Sequence, residues 1–184
     1  MQGWFRLQSI PDVVRSRDRK LRATEGSALI ELSRHVFETL RRDEDSILYR
    51  GRNHEDLSQV LVLAPAKEEA SPERLKRLEH ENSFKADLDP AWAARPIEIG
   101  FHWNRPVLVL EDPGGIPLDQ LLGQVPDLGA SLRRAISLAN AIGQLHWRGI
   151  VHKDIKPANV LVNSATDTVW LMGFGIASRL PRER

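Results

Sequence analysis

The order of its short apolar runs constrains this chain most. Val36-Phe37-Glu38-Thr39-Leu40, Ile47-Leu48-Tyr49-Arg50 and Val60-Leu61-Val62-Leu63-Ala64 follow one another with polar connections between them. Runs this short, rich in β-branched and aromatic residues, form strands rather than helices. The first two are joined by Arg41 to Ser46, and the third is stopped by Pro65. Three such strands make an antiparallel meander. A helix follows, because Ser71 can cap it and Pro72 stands at its first helical position. Leu75, Leu78, Phe84 and Leu88 continue at helical spacing, which predicts a helix to about Leu88, ending before Pro90. Ile97-Glu98-Ile99 and Val107-Leu108-Val109-Leu110 add two more strands around the turn Asn104-Arg105-Pro106.

Asp112-Pro113-Gly114-Gly115 breaks the pattern and reads as a linker. Beyond it a short helix is predicted over Leu118 to Leu122, and a longer one over Gly129 to Arg148. The longer helix places Leu132, Ala135, Ile136, Ala139, Ile142 and Leu145 on one apolar face. Ile150-Val151, Val160-Leu161-Val162 and Val169-Trp170-Leu171 are short strands. With 41% hydrophobic and 28% charged residues the chain has the composition of a soluble globular protein. A net charge of +1 supplies no field for nucleic acid or an anionic membrane. The basic stretch Arg15 to Arg22 lacks interleaved aromatics, so it reads as a solvated arm. No apolar run approaches the roughly 20 residues that span a bilayer. Met1 to Arg22 is too interrupted by charge to be a signal peptide. The absence of cysteine excludes disulfides and thiolate metal sites, and a cytoplasmic location is expected.

The chemistry is concentrated in Leu145-His146-Trp147-Arg148-Gly149-Ile150-Val151-His152-Lys153-Asp154-Ile155-Lys156-Pro157-Ala158-Asn159-Val160-Leu161. Across these positions the chain resembles the serine/threonine protein kinase superfamily, with Asp154, Lys156 and Asn159 in the register of its catalytic loop. The resemblance implies an α+β fold: an antiparallel five-stranded N-lobe with one helix (35–112), preceded by an extension (1–34) and followed by a partial, mainly helical C-lobe (113–184). It implies that Asp154 is the base facing the substrate hydroxyl, that Lys156 supports the transferring phosphoryl group, and that Asn159 is a ligand of Mg²⁺. ATP would lie against Leu110 and Glu111, with Lys156 and Glu81 serving the phosphates; Glu79 is the rival of Glu81. His152 and His146 are expected to be packing residues. Lys153 stands where the family carries an arginine that grips activation-loop phosphate, a bidentate role lysine cannot fill.

Four positions depart from the family. The glycine-rich loop is replaced by Arg41-Arg42-Asp43-Glu44-Asp45-Ser46. The third strand has no lysine, leaving Lys67 as a displaced substitute. Pro113, which lacks an N–H, falls where the linker would meet adenine. The metal-binding Asp-Phe-Gly reads Gly173-Phe174-Gly175. The chain also ends soon after that point, which reads as an N-terminal piece of the fold, similar to the kinase-like domain that opens large bacterial sensor proteins. Two readings follow. One is a regulatory signalling module with a degenerate ATP and Mg²⁺ site, working through protein partners, downstream signalling domains or self-association. The other is an active kinase transferring the ATP γ-phosphate to a protein hydroxyl. The uncovered apolar face of the long helix predicts marginal stability.

Overall fold

Alternating burial along the strands builds the sheet, and a computed structural model describes it for residues 30–66, 71–102, 105–123 and 127–181. The basic arm, Lys67 and Asn104 lie outside the described residues. Strands β1 (His35–Arg42), β2 (Ser46–Asn53), β3 (Gln59–Pro65), β4 (Pro96–His102) and β5 (Arg105–Glu111) form one antiparallel sheet in the order β1-β2-β3-β5-β4. On one face Leu40, Leu48, Leu61, Leu108 and Leu110 enter a core shared with Leu78, Leu161 and Met172. On the other, Val60, Val62, Ala64, Val107 and Val109 pack with Leu32. Strands β3 and β5 are therefore buried on both sides, which is why their sequences run apolar without a break. This is the α+β, five-stranded architecture the resemblance implies.

Helix α1 (Pro72–Asn82) starts where the cap predicts, with the Ser71 hydroxyl accepting the Arg74 N–H at 3.4 Å. It ends at Asn82, short of the expected Leu88. The Ser83 side chain bonds back to the His80 carbonyl at 2.7 Å, and tight turns carry the chain on. Those turns bury Phe84 and Leu88 in the core, so the two residues kept their apolar role without being helical. The side-chain pattern alone does not distinguish the two cases.

Helix α2 (Leu128–Trp147) begins one residue before the predicted start, with the Asp127 carboxylate accepting the Ala130 N–H at 2.9 Å. The short segment before it is β6 (Ile116–Pro117) and a 3₁₀ turn at Leu118–Leu121, not an α-helix. Strands β7 (Ile150–Val151), β8 (Val160–Asn163), β9 (Thr168–Leu171) and β10 (Ser178–Arg179) follow; β6-β8-β9 form one small sheet and β10 pairs with β7. The buried face of α2 differs from the expected one. Ala141 and Leu145 are enclosed, with Leu138 and Ile142 packed beside them, while Leu132 and Ile136 are exposed. Three contacts set this rotation. Arg133 Nε and Arg134 Nε hold the Asp167 carboxylate at 2.9 and 2.7 Å, and the Ser137 hydroxyl accepts the Val169 N–H at 3.0 Å. Among the described residues no helix is long and apolar enough to cross a membrane.

The rotation of α2 gives a direct test. Leu145→Ala should cost about 3 kcal/mol of unfolding free energy through cavity formation, whereas Leu132→Ser should change it by less than about 0.5 kcal/mol. Urea titration of both variants measures the contrast, and equal costs would contradict this packing.

Candidate functional site

The β1–β2 turn, helix α1 and the loop between β7 and β8 enclose a cleft of about 1140 Å³. Its lining includes Arg41, Leu63, Glu81, Asp154, Lys156 and Asn159. The loop owes its shape to His152 beneath it. That ring is buried; its Nδ1 accepts the Asp154 N–H at 3.2 Å, so Nε2 carries the proton and donates to the Met172 carbonyl at 3.0 Å. Burial pushes the imidazole pKa below its ordinary value, in keeping with the neutral tautomer. The ring also lies 4.6 Å from that of Phe174. His152 is therefore a packing and orienting residue.

Pro157 opens the 3₁₀ turn Pro157–Asn159, which swings Asn159 back towards Asp154. The Asn159 amide donates to both the backbone carbonyl and Oδ2 of Asp154, each at 2.8 Å. Lys156 Nζ lies 2.9 Å from the same Oδ2. The structure thus brings Asp154, Lys156 and Asn159 together. Because both neighbours bind Oδ2, the carboxylate is oriented, and among the described residues no side chain is bonded to Oδ1. Such a group can accept a proton from a hydroxyl placed in the cleft.

Of the two helix carboxylates, Glu81 is buried and Glu79 is exposed. Glu81, 3% exposed, accepts the Gly173 N–H at 3.1 Å. Burial drives its pKa up to about 7, against the opposing pull of the Phe174 and Gly173 N–H groups and the Arg41 charge. Among the described residues no cation forms an ion pair with it. The β3 side chains on the cleft side are Leu61 and Leu63, which offer no charge. A buried carboxylate without a cation behaves as expected: it holds its proton near neutrality.

Leu110 and Glu111 sit elsewhere. Leu110 is enclosed among Leu48, Leu61, Leu161 and Met172, all fully buried, so apolar side chains fill the space below the sheet at this end. Glu111 pairs with Arg95, whose Nε is 3.1 Å from its carboxylate. The next residue, Asp112, was not singled out from the sequence. Its side chain is wholly enclosed and is gripped by Arg50 through Nε at 2.5 Å and Nη2 at 3.0 Å, while Nη2 also reaches the Gly115 carbonyl at 2.6 Å. No local pattern announces a contact between residues 62 positions apart. Gly115 is required here, because φ is +96° and a Cβ would come within 2.7 Å of the Val162 carbonyl oxygen.

The residues present do not fit a protein-held Mg²⁺. Gly173, at φ +81°, packs so closely on Asn159 that a Cβ would lie 2.8 Å from its side chain. The Asn159 amide nitrogen is bonded to Asp154, which leaves its Oδ1, beside Gly173, as a single neutral oxygen where the family pairs it with a carboxylate. Among the described residues no cluster of three acidic or histidine side chains could hold a metal ion.

The protein kinase domain model matches residues 49–184, well over half of the chain. A Lactococcus lactis protein named "Probable serine/threonine-protein kinase PknB" is 30% identical over 108 residues, covering 58% of this chain and 17% of its own. A serine/threonine-protein kinase of Myxococcus xanthus is 36% identical over 76 residues, 40% of this chain and 11% of its own. The Mycobacterium tuberculosis serine/threonine-protein kinase PknE is 37% identical over 86 residues, 40% of this chain and 15% of its own. The matches therefore span less than a fifth of each relative's length.

Two substitutions test this geometry. The folded-state pKa of Glu81, about 7, lies above the usual 4.5, so its contribution to stability is complete below the unfolded value and is lost as pH rises through the folded one. At about 1.4 kcal/mol per pH unit, that gap corresponds to about 3 kcal/mol between pH of about 4.5 and 8. Glu81→Gln should remove this dependence, so that denaturant midpoints for variant and parent diverge with rising pH in favour of the variant; parallel curves would refute the assignment. Gly173→Asp should lower unfolding free energy by about 1–3 kcal/mol through left-handed backbone strain and displacement of Asn159. A variant as stable as the parent, measured by thermal unfolding, would mean that Asn159 moves aside freely.

Proposed function

The chain belongs to the protein kinase domain family, and from that premise we propose that it is a serine/threonine-kinase-like signalling module whose cleft has lost Mg-ATP chemistry and which acts through protein partners. One observation carries this reading: Gly173 stands at the position of the family's metal-binding carboxylate, offers a metal no oxygen, and lies so close to Asn159 that a Cβ there would have to displace its side chain. The apolar packing around Leu110, and Glu81 without an ion-pair partner among the described residues, support it. A regulatory or scaffolding role in a bacterial signalling protein follows, with neighbouring signalling domains or a second copy of the chain as the partners.

A second reading is favoured by the loop itself. Asp154, oriented through Oδ2 by Asn159 and Lys156, retains the arrangement expected of a base that accepts a hydroxyl proton. This reading makes the chain an active serine/threonine kinase whose nucleotide contacts come from other residues.

Thermal unfolding with millimolar ATP, in Mg²⁺ and in EDTA, separates the two. A ligand at a hundred times its Kd adds about 2.7 kcal/mol of stability. No shift of the midpoint in either buffer is expected. A Mg²⁺-dependent rise, together with serine-peptide phosphorylation lost in Asp154→Asn, would overturn the signalling-module reading and establish the kinase.

A further inference from the structure

The β1–β2 hairpin is tied down at points that no ligand supplies. In β1 the pairing with β2 shifts between Thr39 and Arg41, so Leu40 is an extra residue in a bulge. A bulge re-aims the side chains beside it. Here Leu40 enters the core and Arg41 enters the cleft instead of solvent. The Arg41 side chain is only 9% exposed, and its Nη1 donates to the backbone carbonyl of Ala158. Its Nε is 2.9 Å from Asp43 Oδ2, an ion pair without hydrogen-bond alignment.

A guanidinium this enclosed is expensive unless opposite charge and acceptors surround it. Asp43 and the Ala158 carbonyl provide them. The neighbouring residue adds a second tie, since Gln120 Nε2 donates to the Leu40 carbonyl. At the other end of the hairpin, Arg50 holds Asp112 and Gly115. Two carboxylates of the acidic turn are met in the same way: Asp43 by Arg41, and Asp45 by Arg74 of α1. Two of the three carboxylates of this turn are thus occupied by the protein's own cations.

We propose that Arg41 is a built-in strap, its guanidinium closing the β1–β2 hairpin onto the Asp154–Asn159 loop in place of a bound nucleotide. This rests on the reading that the cleft does not take Mg-ATP. Ala158 precedes Asn159, the residue that orients Asp154, so the strap also steadies the turn carrying both. An arginine from the opposite wall thereby grips the loop and holds its shape.

Amide hydrogen exchange of the folded protein, with no nucleotide present, tests the strap. In Arg41→Ala, exchange over residues 38–50 and 154–160 should rise together by roughly tenfold or more, while residues 138–147 of α2 stay unchanged. In Gln120→Ala, a smaller rise confined to residues around 38–42 is expected. An Arg41→Ala protein that keeps its parent's exchange in both segments overturns the proposal. Should that variant not fold, Arg41→Lys, which offers the Ala158 carbonyl a shorter single-point donor, takes its place, and parent-like exchange there and in Gln120→Ala is equally decisive. Binding of Mg-ATP by the parent would refute the function proposed above and leave the exchange result to judge the strap alone.

Discussion

The hydrogen bond from the Gly173 N–H to the Glu81 carboxylate joins the parts of this molecule that carry its candidate site. It fixes the end of β9 beneath α1, and a series of further contacts depends on that placement. His80 Nε2 meets the Ala177 carbonyl at 2.7 Å, and Arg179 reaches Asp87 and the Ser83 carbonyl. Met172, one residue before Gly173, receives His152 from below. His152 then takes the Asp154 N–H, and Asp154 takes Asn159. The links from Glu81 through His152 to Asn159 are buried or partly buried, where hydrogen bonds are costly to leave unmade, while those of Arg179 lie at the surface. The path from helix to loop is therefore held by the protein's own groups.

Glu81 shows how this arrangement departs from an ordinary ion pair. A buried carboxylate is stable as an anion when a cation and several donors surround it. Here the donors are present and, among the described residues, no cation is paired with it, so desolvation dominates and the proton is lost only near neutrality. The Arg41 charge acts on it through space, but the hydrogen bond of Arg41 is to Ala158. Among the described residues the buried cation of the cleft is on the hairpin, where Arg41 grips the loop.

Most of the strand order was legible in the sequence because β3 and β5 are buried on both faces and their apolar runs have no helical alternative. The loop was legible too, since Asp154, Lys156 and Asn159 lie within a few residues of one another and the turn at Pro157 brings them together locally. What escaped was decided at long range. The extent of α1 depended on where Phe84 and Leu88 found the core. The buried face of α2 depended on Asp167, more than thirty residues away. Arg50 and Asp112 are separated by 62 residues, and Arg41 and Ala158 by 117. Periodicity reports which residues seek burial, but it does not report which side chains will meet across a fold.

The survival of the loop is not in itself a sign of catalysis. His152 is buried with both ring nitrogens engaged, and Asn159 is buried with its amide bonded twice to Asp154. Losing either would leave interior polar groups unpaired, at a cost comparable to that of other damaging core changes. Folding alone therefore favours retaining His152, Asp154 and Asn159. Gly173 carries the opposite information, because a carboxylate there contributes only when a metal is bound, and glycine suits both the backbone angle and the closeness of Asn159. Residues whose hydrogen bonds serve the fold have been kept, and the residue whose charge would serve only a ligand is missing. That asymmetry, rather than the loop motif, is the physical basis for reading this kinase-family domain as a signalling module.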